Sequence, residues 1–199
     1  MVLGFGPIGA SPIGAGPQHL IQQIDRGRRL VTLTSTAILI PERRTDEGLL
    51  IKSVGKAWID VARILGDDWS AAFEIDDRQW EEMLAGALKK EGFDVTLTPP
   101  RKDHGRDVIA RKGGVGSMRM LGSMKAYAPG RVVGRDHVHE VLGVVEAERA
   151  TKGMIVTTSD FAPQLLDAPR LAELIPDRLE LVNGRQLQEW LGKLTSSST

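Results

Sequence analysis

Asp107 and Lys125 lie in two β-forming runs separated by a glycine-rich turn. In the first run, Arg106 to Arg111, side chains alternate between faces, so Asp107, Ile109 and Arg111 share one side. In the second, Ser117 to Tyr127, the same rule groups Arg119, Leu121, Ser123, Lys125 and Tyr127. A hairpin at Gly113-Gly114 pairs the runs and brings Asp107 towards Lys125. A carboxylate beside a lysine is the minimum for metal-assisted phosphodiester cleavage. The carboxylate holds a divalent ion that polarises the phosphate and acidifies a water, and the lysine steadies the developing negative charge. On spacing alone, the pair reads first as an exposed salt bridge, which is common and weak.

Other chemistries fare worse. The chain has no cysteine, which excludes disulfides, thiol nucleophiles and Cys-ligated zinc. None of the histidines, His19, His104, His137 and His139, stands in an HExxH frame. His137 and His139 are two apart at a helix start and so face different ways, which suits DNA contact or plain surface better than a metal. Thr157, Thr158 and Ser159 read as a strand end and helix cap, with Ser159 or Asp160 as N-cap. Gly113, Gly114 and Gly116 have no Lys-Ser/Thr in frame for a phosphate loop. The GxGxxG at Gly4, Gly6 and Gly9 has no strand before it, and Pro7, Pro12 and Pro17 leave no uninterrupted helix after it. Net charge is zero, yet Arg101 to Arg135 holds nine basic residues against Asp103 and Asp107, a local excess of seven that suits phosphate contacts.

The elements that must position these groups are read from the hydrophobic period. Residues 1–18 are rich in Gly, Pro and Ala and lack periodicity, so a flexible tail is expected. Residues 19–75 read as a β-rich N-terminal extension or small subdomain. Leu30–Thr34, Ala37–Ile40 and Leu49–Ile51 are strand-like, the second stopped by Pro41, and Ile59, Val61, Ala62 and Leu65 suit a helix ending near Gly66. Asp76 or Asp77 caps a helix with Trp80, Met83, Leu84, Ala87 and Leu88 on one stripe, ended by Gly92. Phe93–Thr98 is a strand in which Val95 and Leu97 alternate with Thr96 and Thr98. After the two runs already described comes a helix capped by Asp136 and bearing Val138, Val141, Leu142 and Val145. A strand over Met154–Thr158, a proline-broken helical stretch over Phe161–Leu174, a strand over Leu179–Val182 and a helix over Arg185–Leu194 complete the order. Thr195–Thr199 is a polar, frayed tail. Met118, Met120 and Met124 alternate on the face opposite Lys125 and belong to the core. Residues 76–194 thus read α-β-β-β-α-β-α-β-α, an α/β sheet with helices on both faces. No apolar run approaches the roughly 18 residues of a membrane span, and the start lacks a signal-peptide pattern, so no membrane association and a cytoplasmic location are expected.

Five pieces, in order, carry a family resemblance: WEEMLAGALKKEGFDV (Trp80 to Val95), DHGRDVIA (Asp103 to Ala110), SMKAY (Ser123 to Tyr127), KGMIVTTSDFAP (Lys152 to Pro163) and LVNGRQLQEWL (Leu181 to Leu191). Together they resemble the Mrr-like branch of the PD-(D/E)xK restriction endonucleases. The resemblance implies a restriction-endonuclease-like mixed sheet flanked by helices over residues 76–194 and hydrolysis of DNA phosphodiester bonds, modification-dependent restriction being one form of it. It implies Mg²⁺ or Mn²⁺ and no small-molecule cofactor, double-stranded DNA as partner, and a homodimer, since cutting both strands takes two active sites. By position Asp107 corresponds to the metal-binding aspartate and Lys125 to the catalytic lysine. Glu81 falls where the family places a first-helix glutamate and is expected as a metal ligand reaching over the sheet edge; helical geometry sets it at the border of the apolar stripe, while Glu82 points away. Its plainer reading is a solvated carboxylate.

Ser123 departs from the pattern. The family carries Glu or Gln two residues before the lysine, as a metal ligand, whereas serine is a poor ligand for a hard cation. The Met124 carbonyl remains as a donor. A DNA-binding or regulatory module that kept the fold and lost catalysis is therefore the alternative, and a protein-interaction domain a third reading. Arg131 and Arg135, in the loop after the lysine strand, are expected at DNA phosphates, with Arg106 and Tyr127 beside them.

Overall fold

The computed structural model describes Arg29 and residues 37–100 and 105–196. The expected tail over 1–18, the Leu30–Thr34 strand, His19, His104 and residues 197–199 lie outside the described residues.

Seven strands form one sheet. Strands β1 (Leu39–Thr45), β2 (Gly48–Val54), β3 (Asp94–Leu97), β4 (Val108–Lys112) and β5 (Met118–Lys125) follow one another antiparallel; β7 (Lys152–Thr157) and β9 (Leu179–Val182) then add in parallel beyond β5. Between β5 and β7 runs helix α3 (Arg135–Ala147), the kind of crossover that parallel neighbours require. A two-strand ribbon of β6 (Val132–Val133) and β8 (Asp160–Phe161) flanks it.

The described part of the expected extension is built into this sheet rather than set apart. β1 runs on through Pro41, where sequence reasoning ends it: β1 is the sheet edge, and the register shifts on either side of Pro41 absorb the missing N–H. Helix α1 (Lys56–Asp67) buries Trp58, Val61, Ala62 and Leu65, four of its apolar positions at helical spacing. Its last carbonyls, on Leu65 and Gly66, are satisfied by Gln188 Nε2 at 3.3 and 3.0 Å, reaching across from α6 (Gly184–Ser196). That last helix runs to Ser196, two residues into the expected frayed tail.

Helix α2 (Asp77–Lys90) starts at a capping box. The Asp76 side chain accepts the Gln79 N–H at 2.8 Å, and Gln79 Oε1 accepts the Asp76 N–H at 3.2 Å. Its expected stripe, Trp80, Met83, Leu84, Ala87 and Leu88, is buried in full. Thr96 and Thr98 are also buried, at 2% and 1% exposure, so both sides of this stretch face protein. Two caps differ from expectation. Helix α3 begins at Gly134, with Asp136 inside its first turn rather than capping it. Ser159 and Asp160 lead into β8, and helix α4 (Pro163–Leu166) starts after Ala162 without a side-chain cap; the proline at N1 presets the turn. A second short helix, α5 (Pro169–Ala172), completes the proline-broken stretch.

The two sheet faces carry different helices. Leu84 of α2 lies against Gly122 and Val108, so Val108, Ala110, Met120, Met124, Met154 and Val156 pack with α1, α2 and α6. Ile109, Leu121 and Ile155 point the other way, onto Val138, Val141 and Val145 of α3. Helices α1 and α2 meet where the Trp58 indole lies against Gly86. A Cβ there would come within 2.1 Å of Trp58 Nε1, and the same indole donates to Met83 O at 3.0 Å. Gly86→Ala is therefore expected to destabilise the fold by about 1–3 kcal/mol, although alanine normally gains ~1 kcal/mol over glycine inside a helix. Urea denaturation followed by tryptophan fluorescence measures it, and an unchanged or raised midpoint contradicts this packing.

Candidate active site

The site grows from the junction of β4 and β5. Continuing the strand alternation, Leu121, Ser123 and Lys125 face α3, while Gly122 and Met124 face α2. Asp107 sits just before β4. Its N–H donates to Gly122 O at 2.8 Å, and its Oδ2 accepts the Met124 N–H at 2.5 Å. The aspartate thereby grips the peptide groups on both sides of Ser123, and it is itself 7% exposed. Thr98 fixes the backbone here: its hydroxyl lies 2.8 Å from Arg106 O and 2.9 Å from Asp107 O, and its N–H donates to Asp107 O at 2.9 Å.

From the other side comes the first turn of α3. His137 Nε2 lies 3.1 Å from Ser123 Oγ, and Nδ1 lies 2.9 Å from Glu140 Oε2. The Glu140 side chain rests against Gly105, where a Cβ would meet its Oε1 at 3.1 Å; the φ of +81° at Gly105 is also one that glycine adopts without strain. Burial pushes the His137 pKa down; the Glu140 hydrogen bond opposes this and the charge of Lys125 adds to it. Ser123, His137 and Glu140 are thus joined by hydrogen bonds at the C-terminal end of β5, with Asp107 bonded to the Met124 N–H and Lys125 one residue further along the strand. The spacing of His137 and His139 points to surface, and for His137 the structure corrects this. At 100° per residue His137 lies 40° from Val141, on the flank of the buried stripe, whereas His139 does not. That offset is the signal that finds it.

Glu81 leaves the face of α2. Its Oε2 pairs with Arg78 Nη1 at 2.5 Å, and the same nitrogen donates to Thr98 O at 2.9 Å, so Glu81 is linked to the Asp107 end of the sheet through Arg78 and Thr98. Glu82, expected to point well away, is half-buried, and burial raises its pKa.

The basic cluster is smaller in space than along the chain. Arg111 and Arg119 pair with Glu47, and Arg119 and Arg106 with Glu148, two carboxylates outside the Arg101–Arg135 stretch. Arg106, expected at DNA, has a side chain only 12% exposed, directed into this network. Arg131 and Arg135 are exposed. The Arg131 guanidinium stacks over the Tyr127 ring at 4.0 Å, and Arg135 lines a surface cleft with His139, Gln164 and Arg170. Arg101 and Lys102 lie outside the described residues.

For a divalent ion the donor set is the Asp107 carboxylate, backbone carbonyls and the groups around Ser123. Among the described residues no three His, Asp or Glu side chains group closely enough to hold an ion by themselves. Such a set suits an ion completed by water and a substrate phosphate, as partly hydrated Mg²⁺ sites are.

Residues 73–191 match the restriction endonuclease family, in its Mrr-type catalytic domain. The chain belongs to that family. The uncharacterized protein y4cE of Sinorhizobium fredii (strain NBRC 101917 / NGR234) is 28% identical over 102 residues, covering 51% of this chain and 26% of the relative. The structure of the MspJI restriction endonuclease in complex with a 27-mer oligonucleotide is similar at 18% identity and a TM-score of 0.45, over 78% of this chain and 38% of that one. The DNA modification-dependent restriction endonuclease AspBHI is similar at 18% identity and a TM-score of 0.43, over 81% of this chain and 44% of that one. This chain spans about a quarter of the length of the curated relative and less than half of each of these two endonucleases. Among the described residues no helix is long and apolar enough to cross a membrane.

The exit of β5 is held by Thr158, 3% exposed, whose Oγ1 accepts the Tyr127 N–H and donates to Tyr127 O, both at 2.8 Å. Thr158→Val leaves both groups without this partner and is expected to lower stability by about 1–3 kcal/mol. Chemical denaturation checks it, and a loss below a few tenths of a kcal/mol contradicts the bridging role.

Proposed function

We propose that this domain is a metal-dependent DNA endonuclease that hydrolyses phosphodiester bonds at the C-terminal end of β5. The observation that carries the reading is the bond from the Met124 N–H to Asp107 Oδ2, which sets that carboxylate beside the end of β5 where Lys125 stands, within residues matched to the restriction endonuclease family. Asp107 would hold the ion, with the Met124 carbonyl and Ser123 beside it and Glu81 a further carboxylate at that end of the sheet. Bound there, a divalent ion supplies Lewis-acid polarisation of the phosphate and an acidified water.

The chain's own groups do the rest. The Asp107 N–H donates to Gly122 O and its Oδ2 accepts the Met124 N–H, so backbone and carboxylate are both preset and little reorganisation is needed when a phosphate arrives. Lys125, half-buried at the strand end, neutralises charge gathering on the phosphoryl oxygens, and its backbone carbonyl is fixed by Thr157 Oγ1 at 2.9 Å. Arg131, stacked on Tyr127, and Arg135 in its cleft would bind backbone phosphates of double-stranded DNA. Two copies would be needed to cut both strands, which favours a homodimer. Serine at position 123 favours one second reading: a module that binds DNA without cutting it.

Cleavage of methylated and unmethylated plasmid with Mg²⁺ or Mn²⁺ tests the proposal. Asp107→Ala and Lys125→Ala are each expected to slow cleavage ~100-fold or more. Cutting by Asp107→Ala at the wild-type rate sinks the assignment, and wild-type silence with intact DNA binding selects the second reading. In a separate titration, Arg131→Ala and Arg135→Ala should each reduce the slope of log affinity against log salt by about 1. An unchanged slope removes that residue from the interface.

A further inference from the structure

Ser123 occupies the strand position at which a nuclease of this type needs a donor, and it is 1% exposed. A buried hydroxyl must find a partner, and the one it has is the ring of His137, whose side chain is itself only 10% exposed. Glu140 settles which ring nitrogen carries the proton. A carboxylate only accepts, so Nδ1–H donates to Glu140 and the Nε2 lone pair points at Ser123. The chain thus has a short residue on the strand and, immediately beyond it, an oriented nitrogen donor from the crossover helix. An imidazole whose far nitrogen donates to a carboxylate is how metal-ligating histidines are commonly held.

We infer that His137 takes the place at the metal left by the short Ser123 side chain, with Glu140 as its positioning residue, making this a mixed nitrogen–oxygen centre. The inference rests on the endonuclease reading above and extends it to the ligand set and the ion. When an ion enters, the Ser123 hydroxyl gives up the Nε2 lone pair to it. Imidazole is a softer donor than carboxylate and shifts preference from Mg²⁺ towards first-row transition ions. The centre is therefore expected to select Mn²⁺ over Mg²⁺.

Mn²⁺ bound to the full chain with ¹⁵N-labelled histidine tests this by pulsed electron paramagnetic resonance, with no dependence on turnover. Wild type should show coupling to a histidine nitrogen that disappears in His137→Gln and persists in His139→Gln. Calorimetry should find Mn²⁺ binding weakened ~10-fold or more in His137→Gln, and by ~10-fold in Glu140→Gln. Adding Ser123→Glu to His137→Gln should restore affinity and bring Mg²⁺ level with Mn²⁺. Metal-bound wild type without histidine coupling overturns the inference, as does Mn²⁺ affinity in His137→Gln equal to wild type. The wild-type spectrum stands even if a variant fails to fold. Asp107→Ala separates the two readings: if it binds Mn²⁺ as wild type does, the endonuclease site itself is misplaced. Loss of binding there with no effect at His137 leaves that site standing and removes only the histidine.

Discussion

The hydrogen bonds from Asp107 to the peptide groups on either side of Ser123 are the constraint on which the rest of the site depends. They place a carboxylate at the mouth of the β4–β5 hairpin and hold it against the one strand that is antiparallel to one neighbour and parallel to the other. A buried carboxylate is costly unless its oxygens are satisfied, and a backbone N–H is a partner that no side-chain motion removes. Thr98 repeats the logic one strand over by tying down the Asp107 carbonyl. Backbone groups thus hold both the carboxylate and the carbonyl of Asp107.

Charge shows how far a linear count departs from the surface. Nine basic residues between Arg101 and Arg135 suggest a uniformly positive face, but Glu47 and Glu148 come from distant segments and pair with Arg106, Arg111 and Arg119. Steering depends on the field of all charges together, so Arg106, Arg111 and Arg119 add less to it than a linear count suggests, while Arg131 and Arg135 stay exposed.

Much of the architecture is legible in the sequence because the governing periods are strong. The Trp80–Leu88 stripe, the buried methionines of β5 and the order of elements from Asp76 onward are all set by which faces must be apolar. What is not legible depends on neighbours. Pro41 stops a strand in isolation but not at a sheet edge, and the burial of Thr96 is set by what lies over its face of the sheet, not by the alternation within β3. For the candidate site, Asp107 and Lys125 are singled out by type, spacing and resemblance. His137 escapes sequence reasoning when two histidines two residues apart are compared with each other and not with the buried stripe of their own helix.

Topology makes the place of His137 more than an accident of side-chain packing. Parallel β5 and β7 need a crossover, and a helix returning from the end of β5 must begin over that end and run back along the sheet. Its first turn then hangs above the last residues of β5, the positions that carry Ser123 and Lys125. Any side chain on the buried flank of that turn must meet them. Ligands of α/β sheets gather outside the carboxyl ends of the strands for the same reason: the loops and helix starts there converge, and their polar groups are free of the ladder. A short residue at 123 therefore leaves room that the fold itself directs a helix side chain to fill, and in this chain that side chain is an imidazole.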